Sequence, residues 1–178
     1  MKKKVIIPII VGMLIIIAGI IIGLQKMNNN DNNKSLLVVR TYSNYAFPSQ
    51  FNGTAIFDDG SVYGWNFKGS TDKEYKEYIG NNDINTKKGL EKFILKRGKK
   101  RPNNVPSKEL EEIKRIVNNL TEEDTDYEVG CSAVDAGNFS TAAFKNKTRY
   151  EIKVSGACDG TSKTTNSSKL LAIANKYL

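Results

Sequence analysis

The sequence predicts an α+β fold in which an N-terminal transmembrane helix precedes one antiparallel sheet with two to four helices packed on one face of it. Three observations lead to this prediction. Residues 5–24 form an unbroken apolar run, and runs of β-branched and aromatic residues alternate with turn residues further along. Other segments repeat apolar residues at helical spacing. The chain has 178 residues, which is enough for one ordinary domain beyond its first segment.

The composition excludes several kinds of active site. The chain contains no His and only two Cys. Ser-His-Asp and Cys-His nucleophile systems, His-ligated and Cys₄ zinc sites, and iron–sulfur clusters therefore cannot form within it. We find no catalytic motif and no motif for a cofactor or metal, so we predict a protein that is not an enzyme and that uses neither.

Residues 5–24 predict a transmembrane anchor. The stretch VIIPIIVGMLIIIAGIIIGL contains no charge and no amide, and as a helix it would be about 30 Å long, which matches the hydrocarbon core of a bilayer. The run KKK before it favours the cytoplasm, so residues 1–4 form a cytoplasmic tail and the cell membrane is crossed once. The alternative, a cleaved signal peptide, would have a shorter apolar region and a small-x-small cleavage site.

Three glycines lie on one stripe of the predicted anchor, namely Gly12, Gly19 and Gly23. The last two form a G-x-x-x-G pair, which would let two spans pack closely as a homodimer. Burial of the stripe in lipid is the simpler alternative. Residues 25–34 are rich in Asn and have little to bury, so they predict a flexible linker. Residues 35–178 then form an extracytoplasmic domain.

The first half of this domain contains signals for a hairpin and two helices. Strands are predicted at 36–39, 54–57 and 62–67, and helices at 71–79 and 86–97. The sequence DDGS between the second and third strands is typical of a hairpin turn, because Gly60 can take a positive φ. Gly80 would end the first helix. The second segment is ambiguous between helix and strand, and the spacing of Leu90, Phe93 and Ile94 favours a helix.

The strongest helix signal is at 107–120. Ser107 is expected to accept a hydrogen bond from an early backbone N–H. One apolar stripe is formed by Leu110, Ile113, Ile116, Val117 and Leu120. Three strands are predicted after it, at 127–134, 138–144 and 148–154. A last helix, at about 166–177, would bury Leu170, Leu171, Ala174 and Leu178.

Cys131 and Cys158 lie in the predicted extracytoplasmic part, where a disulfide can persist. Their midpoint falls at the turn between the second and third of those strands. A hairpin centred there would bring both cysteines to its open end, and we therefore predict a structural disulfide. Two free thiols are the alternative. A catalytic thiolate is not expected, because the chain has no His to activate it.

Residues 87–101 contain eight basic side chains and one acid, Glu91. The basic residues are Lys87, Lys88, Lys92, Lys96, Arg97, Lys99, Lys100 and Arg101. Close to a membrane this segment can bind anionic lipid or an anionic wall polymer, each charge contributing about 1 kcal/mol. An exterior location argues against nucleic acid. The alternative is a solvated helix face and loop without a ligand.

Aromatic residues are concentrated around the hairpin. If its loop has two residues, Ile56 lies on the same face as Tyr63, Trp65 and Phe67. These three aromatic residues would then form a surface for sugar rings or for a partner segment of a protein. The alternative is that they belong to the core.

Paired carboxylates are the remaining catalytic hypothesis. Asp135, Asp159, Glu128 and Glu151 would converge if the predicted sheet brings them together. Two facing acids are the minimum for a cell-wall hydrolase, and at least one of them should have a raised pKa. Their spacing in the sequence does not select any pair.

The order of these features resembles single-pass, membrane-anchored envelope proteins of low-GC Gram-positive bacteria. The resemblance rests on the Lys-flanked anchor, the Asn-rich linker, the hairpin TAIFDDGSVY and the helix PSKELEEIKRI. It implies a location and assigns no functional residues, because that group carries no motif of known activity. We therefore expect a membrane-tethered binding or interaction domain. A carboxylate-dependent wall hydrolase and a subunit of an envelope-spanning assembly are the alternatives.

Overall fold

The computed structural model describes residues 34–44, 48–80, 83–131 and 137–178. The chain divides into two units, Met1–Lys34 and Ser35–Leu178, and the fold below is that of the second. The predicted tail, anchor, glycine stripe (Gly12, Gly19, Gly23) and nearly all of the linker lie outside the described residues. The described part of the chain contains no helix with the length and apolar character needed to cross a bilayer.

Eight strands and four α-helices make up the described part of Ser35–Leu178, which confirms the α+β prediction. The strands are β1 (Leu36–Asn44), β2 (Gln50–Phe57), β3 (Val62–Lys68), β4 (Lys99–Lys100), β5 (Gly130–Cys131), β6 (Asn138–Lys145), β7 (Thr148–Gly156) and β8 (Cys158–Thr161). The helices are α1 (Asp72–Ile79), α2 (Lys87–Arg97), α3 (Ser107–Asn118) and α4 (Thr165–Ala174), with a 3₁₀ helix at Glu122–Asp124.

The eight strands form one sheet in the order β4-β3-β2-β1-β6-β7-β8-β5. Every described strand pair is antiparallel. The first four strands of the chain therefore occupy one half of the sheet and the last four the other half. The β1–β6 pair joins the two halves, and both edge strands are only two residues long.

Helices cover both faces of the sheet, so the prediction that they pack on one face is wrong. Successive residues of a strand point to opposite faces. Accordingly, Val38 belongs to one hydrophobic core and Val39 to another. One core lies under α3 and α4 and includes Ile56, Val62, Ile113, Ile116, Ala143, Ile152 and Leu170. The other lies under α1 and α2 and includes Phe51, Phe57, Trp65, Ile79, Leu90, Phe93 and Phe144.

The physical reason for two covered faces is visible in β1. Its sequence begins LLVV, an apolar run without alternation, and all four of these residues are buried. A strand with an apolar side chain at every position is stable only when both faces of its sheet are covered. The predicted strand at 36–39 was therefore correct, but the run also indicated a second helical layer.

The four predicted helices are present, and one predicted cap is wrong. Lys87–Arg97 is helical, with the Thr86 hydroxyl accepting from the backbone N–H of Gly89 at 3.1 Å. Ser107 does not cap α3 with its side chain. The N-cap residue is Pro106, and no side chain there accepts a helix N–H. Ser107 is instead the first helical residue.

The β2–β3 hairpin has a different register from the one expected. Gly60 takes the predicted positive φ of 81°, but Ile56 pairs with Val62, so Ile56 lies on the opposite face from Tyr63. Tyr63 and Trp65 are only 5% and 6% exposed, because α1 and α2 cover their face. The aromatic-surface hypothesis is therefore wrong for these two residues, and the core alternative is correct.

Phe67, the third residue of that hypothesis, is half-buried. Its ring stacks on Tyr78 of α1, with the ring centres 4.1 Å apart. It thus belongs to the margin of the core under α1 and α2.

The predicted disulfide between Cys131 and Cys158 is present, and the described residues contain no free cysteine. The two residues face each other in the short β5–β8 ladder. Cys158 follows β7 at the open end of the β6–β7 hairpin, and its backbone N–H donates to the side chain of Asn138 at 2.8 Å. The expected hairpin is present, and the cysteines pair in the β5–β8 ladder beside its open end.

Candidate functional site

A line of cross-strand neighbours runs at right angles to the strands on the α3–α4 face. In order of strand pairing it consists of Lys99, Gly64, Thr54, Arg40, Thr141 and Lys153. Cations stand at three of these positions, and small residues fill the positions between them. Because the register places them on one rung of the sheet, residues that are far apart in the sequence share one line.

Arg101 adds a fourth cation to this line. Its backbone N–H donates to the carbonyl of Val62 at 2.7 Å, two residues along β3 from Gly64. Its guanidinium reaches back over Gly64 and donates to the Thr54 hydroxyl at 2.7 Å. A side chain at Gly64 would be in tight contact with the Arg101 Nε atom. We call Lys99, Arg101, Arg40 and Lys153 the cation row.

Among the described residues, the two arginines of the cation row have only neutral oxygen partners. The Arg40 guanidinium donates to the Thr141 hydroxyl at 3.3 Å and to the Asn175 side-chain oxygen. Arg101 also donates to the backbone carbonyl of Tyr177 at 2.9 Å. Burial lowers the pKa of Arg40, but an arginine stays protonated in proteins. The guanidinium groups are thus held in position without a carboxylate partner in the part of the chain that the structure describes.

Ion pairs elsewhere in the described structure do not use the cation row. The basic partners in those pairs are Lys73, Lys87, Lys114, Arg115, Arg149 and Lys176. Among the described residues, no carboxylate lies within ion-pair distance of a cation of the row. Guanidinium and ammonium groups that share one line and have no carboxylate partner there attract and can bind anionic oxygens.

A second line runs parallel to the cation row, two residues further along each strand. It consists of Asn66, Asn52, Tyr42, Phe139 and Ser155, which we call the neutral row. Its members carry amide, hydroxyl and aromatic groups and no charge. The rings of Tyr42 and Phe139 are 4.7 Å apart, and Phe139 is 46% exposed. The neutral row therefore offers hydrogen-bonding groups and an aromatic platform.

Two clefts lie along these rows. One has a volume of about 350 Å³ and extends from Arg40 to Phe139. The other has a volume of about 340 Å³ and lies at the edge of β3, where Lys99 and Arg101 meet Tyr78 of α1 and Arg97 of α2, the helices of the opposite face. They share Gly53, Trp65, Asn66 and Arg101 as lining residues. The shared lining makes them two parts of one groove at the boundary of the rows.

The floor of the groove depends on a close approach at Gly53. A Cβ atom there would collide with the Trp65 ring and with the carbonyl oxygen of Arg40. The Trp65 indole nitrogen is buried and has no hydrogen-bond partner among the described residues. Trp65 thus packs against the core under α1 and α2 and also lines the groove.

The basic segment predicted from the sequence is divided by the fold. Arg97, Lys99 and Arg101 line the groove. Lys88, Lys92 and Lys96 are exposed on α2, Lys100 is exposed on β4, and Lys87 pairs with Glu91 at 4.0 Å. The sequence reasoning missed Arg40 and Lys153. Arg40 follows the apolar run of β1, and Lys153 lies in β7, which alternates polar and apolar residues. Only the strand register shows that they share a line.

The last described residues hold the arginines of the groove. Asn175 and the Tyr177 carbonyl accept from Arg40 and Arg101. Residues 175–178 are attached to α3 through Glu109, which accepts from Lys176 at 2.6 Å and from the Tyr177 hydroxyl. These hydrogen bonds lower the pKa of Glu109 and raise the pKa of Tyr177 to about 12.

Tyr177→Phe is expected to remove a contribution to the stability of the fold that the wild-type protein itself loses at alkaline pH. The folded-state pKa of Tyr177 is about 12, and an unfolded tyrosine titrates near 10. The hydroxyl therefore stabilises the fold fully below pH of about 10, and its contribution is lost as the pH rises through the folded value. Urea unfolding of both proteins across this range measures it. A difference between the two proteins that did not change with pH would contradict this assignment.

The proposed carboxylates of a hydrolase are only partly brought together. Glu128 and Asp159 line one cleft of about 630 Å³. Glu151 instead accepts from the Ser140 hydroxyl and pairs with Arg149 at 3.6 Å, and Asp135 lies outside the described residues. The carboxyl groups with a shifted pKa are Glu74, Glu109, Glu112 and Asp124, and each is lowered.

The chemistry available in the groove is therefore the binding of anionic oxygens beside hydroxyl-bearing or ring-shaped groups. Guanidinium groups donate in a planar fork that fits phosphate and carboxylate. The neutral row supplies donors and acceptors for hydroxyl groups. No protein-family model, curated protein or solved structure matches the chain.

Proposed function

We propose that this protein is a membrane-tethered, extracytoplasmic binding domain whose ligand is a polyanion carrying phosphate groups. The observation that supports this most strongly is the cation row, in which Lys99, Arg101, Arg40 and Lys153 share one line without a carboxylate partner among the described residues. The anchor at 5–24 and the linker at 25–34 are the sequence-based part of the proposal.

A polyanion is favoured over a single small anion because the charges are spread along a line. A small anion would occupy one guanidinium fork, whereas a polyanion can contact several cations at once. Each cation close to an anionic surface or polymer contributes about 1 kcal/mol. The clefts that extend from Arg40 to Lys99 are open, so a chain can lie in them, and Lys153 lies on the same line beyond them.

The direct test measures binding of inorganic polyphosphate to the full-length chain in an uncharged detergent. One variant replaces three cations of the row, Lys99→Gln, Arg101→Gln and Lys153→Gln. The matched control replaces three exposed lysines of α2, Lys88→Gln, Lys92→Gln and Lys96→Gln. Both variants lose three positive charges, so a difference between them reports the position of the charge and not its amount.

We expect the wild-type affinity to fall steeply as the salt concentration rises, because binding releases counterions. The row variant should reduce the slope of log K against log salt by about 2–3, since each lost contact accounts for roughly one unit. The α2 control should keep most of the slope. Equal losses in the two variants would overturn the proposal, as would wild-type binding that does not depend on salt.

Two sources of phosphate can be separated by competition. A soluble short-chain phosphatidylglycerol represents a lipid headgroup, and poly(glycerol phosphate) represents a wall polymer. Displacement of polyphosphate by the polymer at a lower phosphate concentration would assign the groove to the polymer. Displacement by the short-chain lipid at the lower concentration would assign it to headgroups. Failure of both to compete would overturn the proposal.

A further inference from the structure

The two rows of the groove separate charge from hydrogen-bonding groups in a regular way. Adjacent strands lie about 4.8 Å apart, so the five strand spacings between Lys99 and Lys153 amount to about 24 Å. The neutral row is two residues away along each strand, which is about 7 Å. A ligand that follows both rows has anionic groups on one side and neutral groups on the other.

The composition of the neutral row favours sugar rings as the neutral groups. Asn66 and Ser155 at its two ends offer an amide and a hydroxyl, which exchange hydrogen bonds with hydroxyl groups. In the middle, the exposed Phe139 ring lies against Tyr42. An exposed aromatic face next to hydrogen-bonding groups can stack on a ring that is apolar on its face and polar at its rim.

Single-stranded nucleic acid fits this pattern less well. Its bases stack on successive aromatic side chains along the strand, whereas the neutral row has one aromatic platform, formed by Tyr42 and Phe139. The other positions of the row, Asn66, Asn52 and Ser155, are small and polar. They provide hydrogen bonds and no second stacking surface.

We infer that the ligand is a linear polymer in which phosphodiesters alternate with sugar rings. It lies across the strands, with its phosphates on the cation row and its rings on the neutral row. This inference rests on the proposed function, because it requires the groove to bind phosphate. It adds the identity of the neutral unit, the direction of the chain across the sheet, and a minimum length of about 24 Å for full contact.

The test compares inorganic polyphosphate with synthetic oligomers of N-acetylglucosamine 1-phosphate, supplied as a length series that starts at a single repeat. The full-length chain is used in an uncharged detergent. Phe139→Ser removes the aromatic platform, and Phe139→Leu keeps its apolar bulk in case the serine variant fails to fold. Val129→Ser is the matched control, because Val129 is 49% exposed and does not line either cleft.

Phe139→Ser should weaken binding of the sugar-phosphate oligomers about fivefold to tenfold and should weaken polyphosphate binding much less, because polyphosphate has no ring to stack on Phe139. Phe139→Leu should also weaken it, and Val129→Ser should change neither ligand. The affinity for the oligomers should rise with length and level off near about 24 Å.

The outcomes separate this inference from the function on which it rests. If polyphosphate binds on the cation row but Phe139→Ser and Phe139→Leu leave oligomer binding unchanged, the inference is wrong and the proposed function stands. If a thymidine homopolymer binds more tightly than the sugar-phosphate oligomers, the neutral unit is a base and the inference is again wrong. If neither polyphosphate nor the oligomers bind, the proposed function fails as well.

Discussion

Phe93→Ala should lower the free energy of unfolding by about 3–5 kcal/mol, the range for truncation of a fully buried aromatic side chain. Phe93 is fully buried on α2. Its ring centre lies 5.3 Å from that of Phe51, 5.6 Å from that of Tyr78 and 6.0 Å from that of Trp65. The alanine would leave a cavity between α1, α2 and the first half of the sheet. Urea unfolding followed by circular dichroism measures the loss.

Lys92→Ala is the matched control for this prediction. Lys92 is the neighbouring residue on α2 and is exposed, so its truncation should change the free energy of unfolding by less than about 0.5 kcal/mol. A loss below about 1 kcal/mol for Phe93→Ala would mean that α2 does not pack on the sheet as described. In that case the assignment of Trp65 to the core would also be wrong.

Asp124→Ala should cost about 2–3 kcal/mol, because it removes a buried acceptor from several donors at once. Asp124 is only 2% exposed. Its carboxylate accepts from the backbone N–H of Thr121 at 2.8 Å, from the Thr164 hydroxyl and from the Ser167 hydroxyl at 3.3 Å. Thr164 is the N-cap residue of α4, so this carboxylate ties the 3₁₀ helix to the start of α4.

The stabilisation of the fold by the Asp124 carboxylate should be lost at acid pH. Burial raises the pKa of Asp124, but the hydrogen bonds from Thr164, Thr121 and Ser167 outweigh it, and the pKa is lowered overall. A lowered folded-state pKa means that the stabilisation is present above the unfolded value of about 3.9 and is lost as the pH falls through the folded value. The stability difference between wild type and Asp124→Asn should therefore shrink below pH of about 4.

Unfolding curves of the two proteins between neutral and strongly acidic pH would check this prediction. Asp124→Asn is the suitable comparison because it keeps the shape of the side chain and removes its titration. If the difference were the same at every pH, the carboxylate would not be the source of the stabilisation. Ser168→Ala, at an exposed position of α4, serves as the control for a general effect on that helix and should be near neutral.

Local signals in the sequence predicted most of the elements correctly. The turn sequence around Gly60 and the helix end at Gly80 involve residues within a few positions of each other. Their physics is therefore contained in a short window. The disulfide was predicted from the hairpin that lies between its cysteines, and in the structure Cys131 meets Cys158 in the β5–β8 ladder beside that hairpin.

The pairing of strands that are far apart in the chain could not be predicted from the sequence. Whether helices lie on one face or two depends on how β1 pairs with both β2 and β6, and β6 is about a hundred positions away from β1. The register of the β2–β3 hairpin was also predicted wrongly, because a loop longer by one residue pairs Ile56 with Val62 instead of Tyr63. A shift of one position in register exchanges the two faces of a strand.

The candidate site was recognised in part for the same reason. Lys99 and Arg101 belong to a dense basic segment, which is a local signal and drew attention to them. Arg40 and Lys153 are isolated cations in strands, and a solvated face explains such residues equally well from the sequence. Only the pairing of Arg40 with Thr141, and of Thr141 with Lys153, shows that they extend one line.

The order of the strands also has a consequence for how the chain folds. The meander β1–β2–β3 and the meander β6–β7–β8 each join neighbours through short loops, whereas the β1–β6 seam brings together residues about a hundred positions apart. Contacts of such separation require the closure of a long loop and form slowly. The two meanders should therefore fold first, and the pairing of β1 with β6 should be the slow step. A polymer bound across that seam would hold both halves at once and would slow their separation.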